Sequence, residues 1–109
     1  MKRTRPYSPL ALEAARLLGC HVAAARREHR WTLNELAERV GVTKTTMSKV
    51  ERGDLTVGLG VAFEAAAILG VPLFSDDANR RRAEAARIDD RLTMLPRSVR
   101  VPRQVDDDF

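Results

Sequence analysis

Five polar side chains between residues 44 and 52 have the types and spacing to bind a polyanion. On a helix, Lys44, Thr45, Ser48, Lys49 and Arg52 share one face, which carries three positive charges and two hydroxyls. Ammonium and guanidinium groups neutralise phosphates, and hydroxyls bond to phosphates or to base edges. Such a face suits a DNA groove. Met47 and Val50 fall on the opposite side and give the same helix an apolar back.

Local signals define the elements that must position this face. Thr43 can cap a helix running to Arg52, and Gly53 stops it. Upstream, Thr32 with Glu35 three residues on forms a capping box, and Leu33, Leu36, Ala37 and Val40 make one apolar stripe. Gly41 can take the left-handed conformation that ends this shorter helix, and Val42 can tuck back into the core. Helix, glycine turn and polar-faced helix together are the arrangement of a helix-turn-helix. Trp31 stands just before the Thr32 cap as a hydrophobic staple, a core role rather than a base-stacking one.

The flanking segments predict three further helices. Ser8 and Pro9 are an N-cap and first-turn pair opening a helix to about His29, with Leu10, Ala14, Leu17 or Leu18, Val22 and Ala25 inward. Cys20 lies in that apolar run and reads as a core or near-core hydrophobe rather than a reactive thiol. His21 and His29 have no companions at metal-ligand spacing and read as surface residues. After a loop from Asp54 to Val57, the residues Leu59, Ala62, Phe63, Ala66 and Ile68 or Leu69 repeat at helical spacing until Gly70. Gly58 and Gly60 there imply either close packing or a first residue outside the helix. Ser75 and Asp76 can cap a fifth helix through Asp77 to about Leu92, with Ala78, Ala85, Ile88 and Leu92 on one side. Arg80 to Arg82 then form a solvated face or the rim of a dimer contact.

The expected fold is all-α: a compact bundle of about five helices, with an N-terminal arm over residues 1–7, a DNA-binding domain over 8–73, a C-terminal helix over 74–93 and an extended tail over 94–109. A chain of 109 residues that is 44% hydrophobic and 5% aromatic suits one small core of closely packed helices with thin side chains. Nineteen Lys and Arg against 15 Asp and Glu leave a formal charge of +4, consistent with a polyanionic partner. One cysteine excludes an internal disulfide and offers no metal cluster. No run is long and apolar enough for a membrane span, and the N-terminus does not read as a signal peptide, so a cytoplasmic location is expected. No catalytic constellation, metal site or cofactor-binding loop is visible, and an enzyme is not expected.

The stretch LAERVGV-TKTTMSKVERG, with the later ILGV, resembles the Xre/Cro family of repressors over roughly Leu17 to Val71. The resemblance implies a lambda repressor-like domain whose recognition helix enters the major groove N-terminus first. It places Lys44, Thr45 and Lys49 where base-reading side chains sit, and Thr43, Thr46, Ser48 and Arg52 where phosphates are met. It also pairs Arg26 with Glu51 as a structural ion pair, in preference to a direct DNA role for Arg26. The loop after the recognition helix touches phosphates in this family, and Thr56 can contribute. Leu33 departs from the pattern, since a Gln reaching a phosphate is often found there.

One such domain reads too few base pairs for a unique address, so a homodimer on an inverted-repeat operator of double-stranded DNA is expected. Within the family the chain most resembles HipB-like antitoxins, which implies a HipA-like kinase toxin as partner. The alternative is a plain Xre-family regulator with no toxin, and a more distant one is a helical adaptor that binds only protein. No small-molecule ligand is expected. The arm, with Lys2, Arg3 and Arg5, either follows the DNA or is a solvated terminus. In the tail, Val99 and Val101 alternate with polar residues and Asp106, Asp107 and Asp108 precede Phe109. These form either a partner-binding segment or a solubilising acidic end.

Overall fold

A computed structural model describes residues 6–99, which contain five α-helices and no strand. The helices are α1 (Pro9–Glu28), α2 (Leu33–Val40), α3 (Lys44–Glu51), α4 (Leu59–Leu69) and α5 (Ala78–Met94). The chain divides after Asp76 into two units, α1 to α4 in the first and α5 in the second.

Each boundary in the first unit has a local cause. Ser8 Oγ accepts the Ala11 amide at 3.2 Å, with Pro9 in the first turn. The capping box is complete: Glu35 N–H donates to Thr32 Oγ1 at 3.0 Å, and Thr32 N–H donates to Glu35 Oε1 at 2.7 Å. Gly41 ends α2 at φ 89°, and Thr43 Oγ1 caps α3 through the Thr46 amide at 3.2 Å. The end of α1 has no glycine. Arg30 instead adopts φ 60°, at a cost of about 1 kcal/mol, so that the Trp31 amide bonds back to Arg26 O at 3.1 Å.

Val22, Leu36, Ala37, Met47, Val50, Ala65, Ala66 and Leu69 form the buried core, with Leu18, Ala25, Trp31, Leu33, Val40 and Val42 packed against it. Helix α2 packs on α3 and α4, and α1 on α3 and α4. Two glycines bring α1 and α3 together. A Cβ on Gly19 would stand 2.5 Å from Glu51 O and 2.6 Å from Val50 O, and one on Gly53 would stand 2.6 Å from Arg16 Cα. Gly53 also holds φ 75°. The two backbones therefore meet with no side chain between them.

This contact corrects the expected face of α1. Successive residues turn by about 100° around a helix, so turning Gly19 toward α3 puts Leu17 and Cys20 outward. Leu10, Ala14, Leu17 and Cys20 are all exposed, and the inward stripe is Ala15, Leu18, Val22 and Ala25. Leu59 is exposed too, because Gly58 is the N-cap and Leu59 opens the first turn of α4 ahead of the packed segment. Neither Gly58 nor Gly60 has an atom near enough for a close-packing role; Gly58 stands outside the helix.

In the second unit, α5 is capped by Asp77 rather than Ser75 or Asp76: its Oδ1 accepts the Asn79 amide at 2.8 Å and the Arg80 amide at 3.4 Å. It runs past the expected Leu92 to Met94, and none of its residues is buried.

A methyl group at Gly19 must push apart two backbones, so Gly19→Ala is expected to lower the unfolding free energy by about 1–3 kcal/mol. Denaturant unfolding of the full chain measures this, and an unchanged midpoint would show that α1 and α3 can separate without cost.

Candidate nucleic-acid interface

Helix α3 is held from behind and open in front. Met47 and Val50 are buried in the core, which fixes the rotation of the helix. Lys44, Thr45 and Arg52 are exposed, while Thr46, Ser48 and Lys49 are half-buried along its sides. The polar face inferred from spacing is thus presented outward as one surface.

The hydroxyls differ in what they have left to offer. Thr43 Oγ1 accepts the Thr46 amide and donates its own proton to Thr46 Oγ1 at 3.1 Å, so its first role is the cap. Thr46 accepts that bond and keeps its proton for an outside acceptor. Ser48 Oγ likewise accepts from Arg52 Nη1 at 2.7 Å and keeps its proton. That bond also holds the Arg52 guanidinium one turn back along the helix, with its remaining N–H groups unspent by any bond to Ser48.

Arg26 and Glu51 fix the far end of α3. Arg26 Nε donates to Glu51 Oε2 at 2.7 Å and Nη2 donates to Oε1 at 3.2 Å, a two-bond fork. Its Nη1 donates to Trp31 O at 2.9 Å. The two side chains are only 13% and 11% exposed, so this charge pair is largely withdrawn from water and from any ligand. Near it, Trp31 lies under Arg39, whose guanidinium carbon is 4.0 Å from the ring centroid, and beside His29 at 4.8 Å. Trp31 is packed against the core and covered by a cation, not presented as a stacking platform.

Asp54 is an acidic group at the edge of the basic face. Its Oδ1 accepts the Thr56 hydroxyl at 2.6 Å and the Thr56 amide at 2.8 Å. The hydroxyl bond, then the amide bond, then the nearby charges of Lys49 and Arg52 hold its carboxyl below the ordinary value of 3.8. Thr56 spends its hydroxyl proton on this bond. Asp54 therefore orders the loop and sets a negative charge against two of the proposed DNA-facing cations. The Asp-x-Thr spacing, a common Asx-turn pattern, was the sequence signal for it. Arg39 over Trp31 had no such signal, because the two are brought together by the turn between α1 and α2.

The remaining expected site residues lie elsewhere. Leu33 is partly buried against the core. His21 and His29 are exposed, and His29 Nδ1 lies 2.8 Å from Ala25 O. Val99 is exposed, whereas Val101, Asp106, Asp107, Asp108 and Phe109, with the arm residues Lys2, Arg3 and Arg5, fall outside the described residues. Among the described residues no group of His, Cys, Asp or Glu gathers as a metal site, and no helix is long and apolar enough to cross a membrane.

Two expectations test this geometry. Arg26→Ala leaves the Glu51 carboxylate largely buried without its partner and should cost about 3 kcal/mol or more, read as a lowered melting temperature. Asp54 gains stability from bonds to its charged form. That contribution is complete above the ordinary carboxyl value and is lost as pH falls through the lower folded one. The stability difference between the native chain and Asp54→Ala should therefore shrink on acidification below 3.8; a difference independent of pH would show that the charge is irrelevant.

Residues 22–74 match the family model described as helix-turn-helix. No curated protein and no solved structure gives a significant match. The matched segment begins at the buried Val22 of α1 and ends after α4, so it takes in the Arg26–Glu51 pair, the turn and the polar-faced helix. Over residues 22–74 the chain is thus similar to a helix-turn-helix domain.

Proposed function

We propose that the protein is a sequence-specific DNA-binding repressor that acts in the cytoplasm as a homodimer on an inverted repeat. The observation that carries this reading is the α3 face: Lys44, Thr45 and Arg52 stand exposed on a helix whose other side is buried in the core. In this reading α3 enters the major groove N-terminus first. Lys44 and Lys49 donate to guanine O6 and N7, and Thr45 meets a thymine methyl or a polar base edge. Thr46, Ser48 and Arg52 donate to phosphates, and Thr43 contributes through its place at the helix start. Arg26 and Glu51 act at one remove, by keeping α3 at its angle to α1.

Lys44→Ala and Lys49→Ala should each cost about 1–3 kcal/mol on the specific operator, whereas Arg52→Ala should weaken all sequences alike and reduce the salt slope. Fluorescence anisotropy at several salt concentrations measures both effects. Unchanged affinity in the Lys44/Lys49 double variant would remove the base-reading assignment.

A finer reading makes the repressor a HipB-like antitoxin that autoregulates its operon and holds a HipA-like kinase toxin; the plain regulator without a toxin is its alternative. The antitoxin reading draws on the resemblance and on apolar residues left in solvent beyond the DNA-binding unit, with Met94 and Val99 both strongly exposed. Its partner-binding segment would be the tail, including Val99, Val101, Asp106, Asp107, Asp108 and Phe109. Deleting Gln104 to Phe109 should leave operator binding intact and weaken binding to the neighbouring gene product by roughly tenfold, about 1.4 kcal/mol. If neither changes, the plain regulator stands.

A further inference from the structure

Helix α5 is 17 residues long, about 26 Å, yet buries none of its side chains. One row of positions along it keeps a strict alternation of three and four, with Ala83, Ala86 and Met94 lying off the row. Ala78, Arg81, Ala85, Ile88, Leu92 and Leu95 form one seam, interrupted once, by Arg81. Ile88, Leu92 and Leu95 are all exposed on it. Such spacing is that of a helix pair in which the seam faces another helix. The charges beside the seam say which helix. Arg82 and Asp89 flank it on one side, Glu84 and Arg91 on the other.

We propose that α5 pairs antiparallel with α5 of a second copy, in the register that sets Ala85 of each chain against Ile88 of the other. This rests on the homodimer reading above and names its surface. In that register Arg82 falls beside Asp89 of the second copy and Glu84 beside Arg91, and symmetry repeats both pairs. All four flanking pairs are then of opposite sign. Leu92 packs along the aliphatic stem of Arg81, whose head reaches water, and Ala78 meets Leu95.

The parallel arrangement fails on the same residues. It stacks Arg81 on Arg81 within the seam and sets Glu84 beside Asp89 twice, both like-charge contacts. In the single chain Glu84 meets Arg87 at 3.4 Å and Arg82 Nη2 bonds Asn79 Oδ1 at 2.5 Å. These are exposed intrahelical contacts of the kind that rearrange at little cost. With a small alanine in four of its six layers the pair is weak by itself, which suits a dimer completed on two DNA half-sites.

The test uses the full chain, with self-association followed by sedimentation velocity over a concentration series, and with DNA binding followed on a single half-site duplex and on the full inverted repeat. Arg82→Asp and Asp89→Arg should each weaken dimerisation roughly tenfold or more, since each turns two attractive pairs repulsive. Arg82→Asp combined with Asp89→Arg should restore it to within about threefold of the native chain. Ile88→Asp should give a monomer that binds the half-site as the native chain does and loses the added affinity of the full repeat. A native chain that stays monomeric on the full repeat, or a double variant no better than either single one, overturns the proposal. Rescue by the double variant in a chain that binds neither duplex would leave the helix pair standing and remove the DNA reading instead.

Discussion

The guanidinium of Arg26 holds three segments at once: the last turns of α1 that carry it, the carbonyl of Trp31 at the entrance to α2, and the carboxylate of Glu51 at the end of α3. A lone charge in so dry a position is costly, so each partner is stable there only because the other is present. The neighbouring seam of Gly19 and Gly53 adds a constraint of a different kind. It is purely steric and sets how near the two helices come, whereas the ion pair sets how they are aligned along their length. Distance and alignment together determine where the exposed side of α3 points.

That division leaves the basic face free of structural duty. Lys44 and Thr45 take no part in the core, and Met47 and Val50, which do, point away from the face. In the proposed reading, residues on the face can therefore vary with the DNA they meet while the scaffold behind them stays the same. Asp54 is the exception. It shapes the loop through Thr56 while lowering the net positive charge next to Lys49 and Arg52. Close to a phosphate backbone such a group disfavours loose, purely electrostatic binding, and so raises the share of affinity that must come from fitted contacts.

The features that were legible in the sequence are those decided within four or five residues. The capping box at Thr32 and Glu35, the Ser8 cap, the left-handed turn at Gly41 and the polar face of α3 all follow from local hydrogen bonding and helical periodicity. The inward stripe of α1 was legible only in part: Leu18, Val22 and Ala25 face the core as expected, but Leu10, Ala14 and Leu17 do not, because that helix offers apolar residues nearly all round and only the approach of Gly19 to Glu51 selects among them. Cys20 was misplaced for the same reason. The end of α1 near His29 was legible to within a residue, although the left-handed Arg30 that follows it carries no glycine signal. The Arg26–Glu51 pair came from the resemblance alone, since two residues 25 apart in sequence carry no local sign of contact. For α5 the periodicity was plain while the cap lay one residue further on, where the first free amides are.

Cys20 is the one thiol in the chain, and it is exposed next to the glycine that seats α1 on α3. A fluorophore or nitroxide attached there would need no mutagenesis and would be carried by the least deformable part of the domain. In any assembly of two copies, a pair of such labels becomes a molecular ruler. It reports the separation of the two helix-turn-helix units directly, with or without a bound ligand.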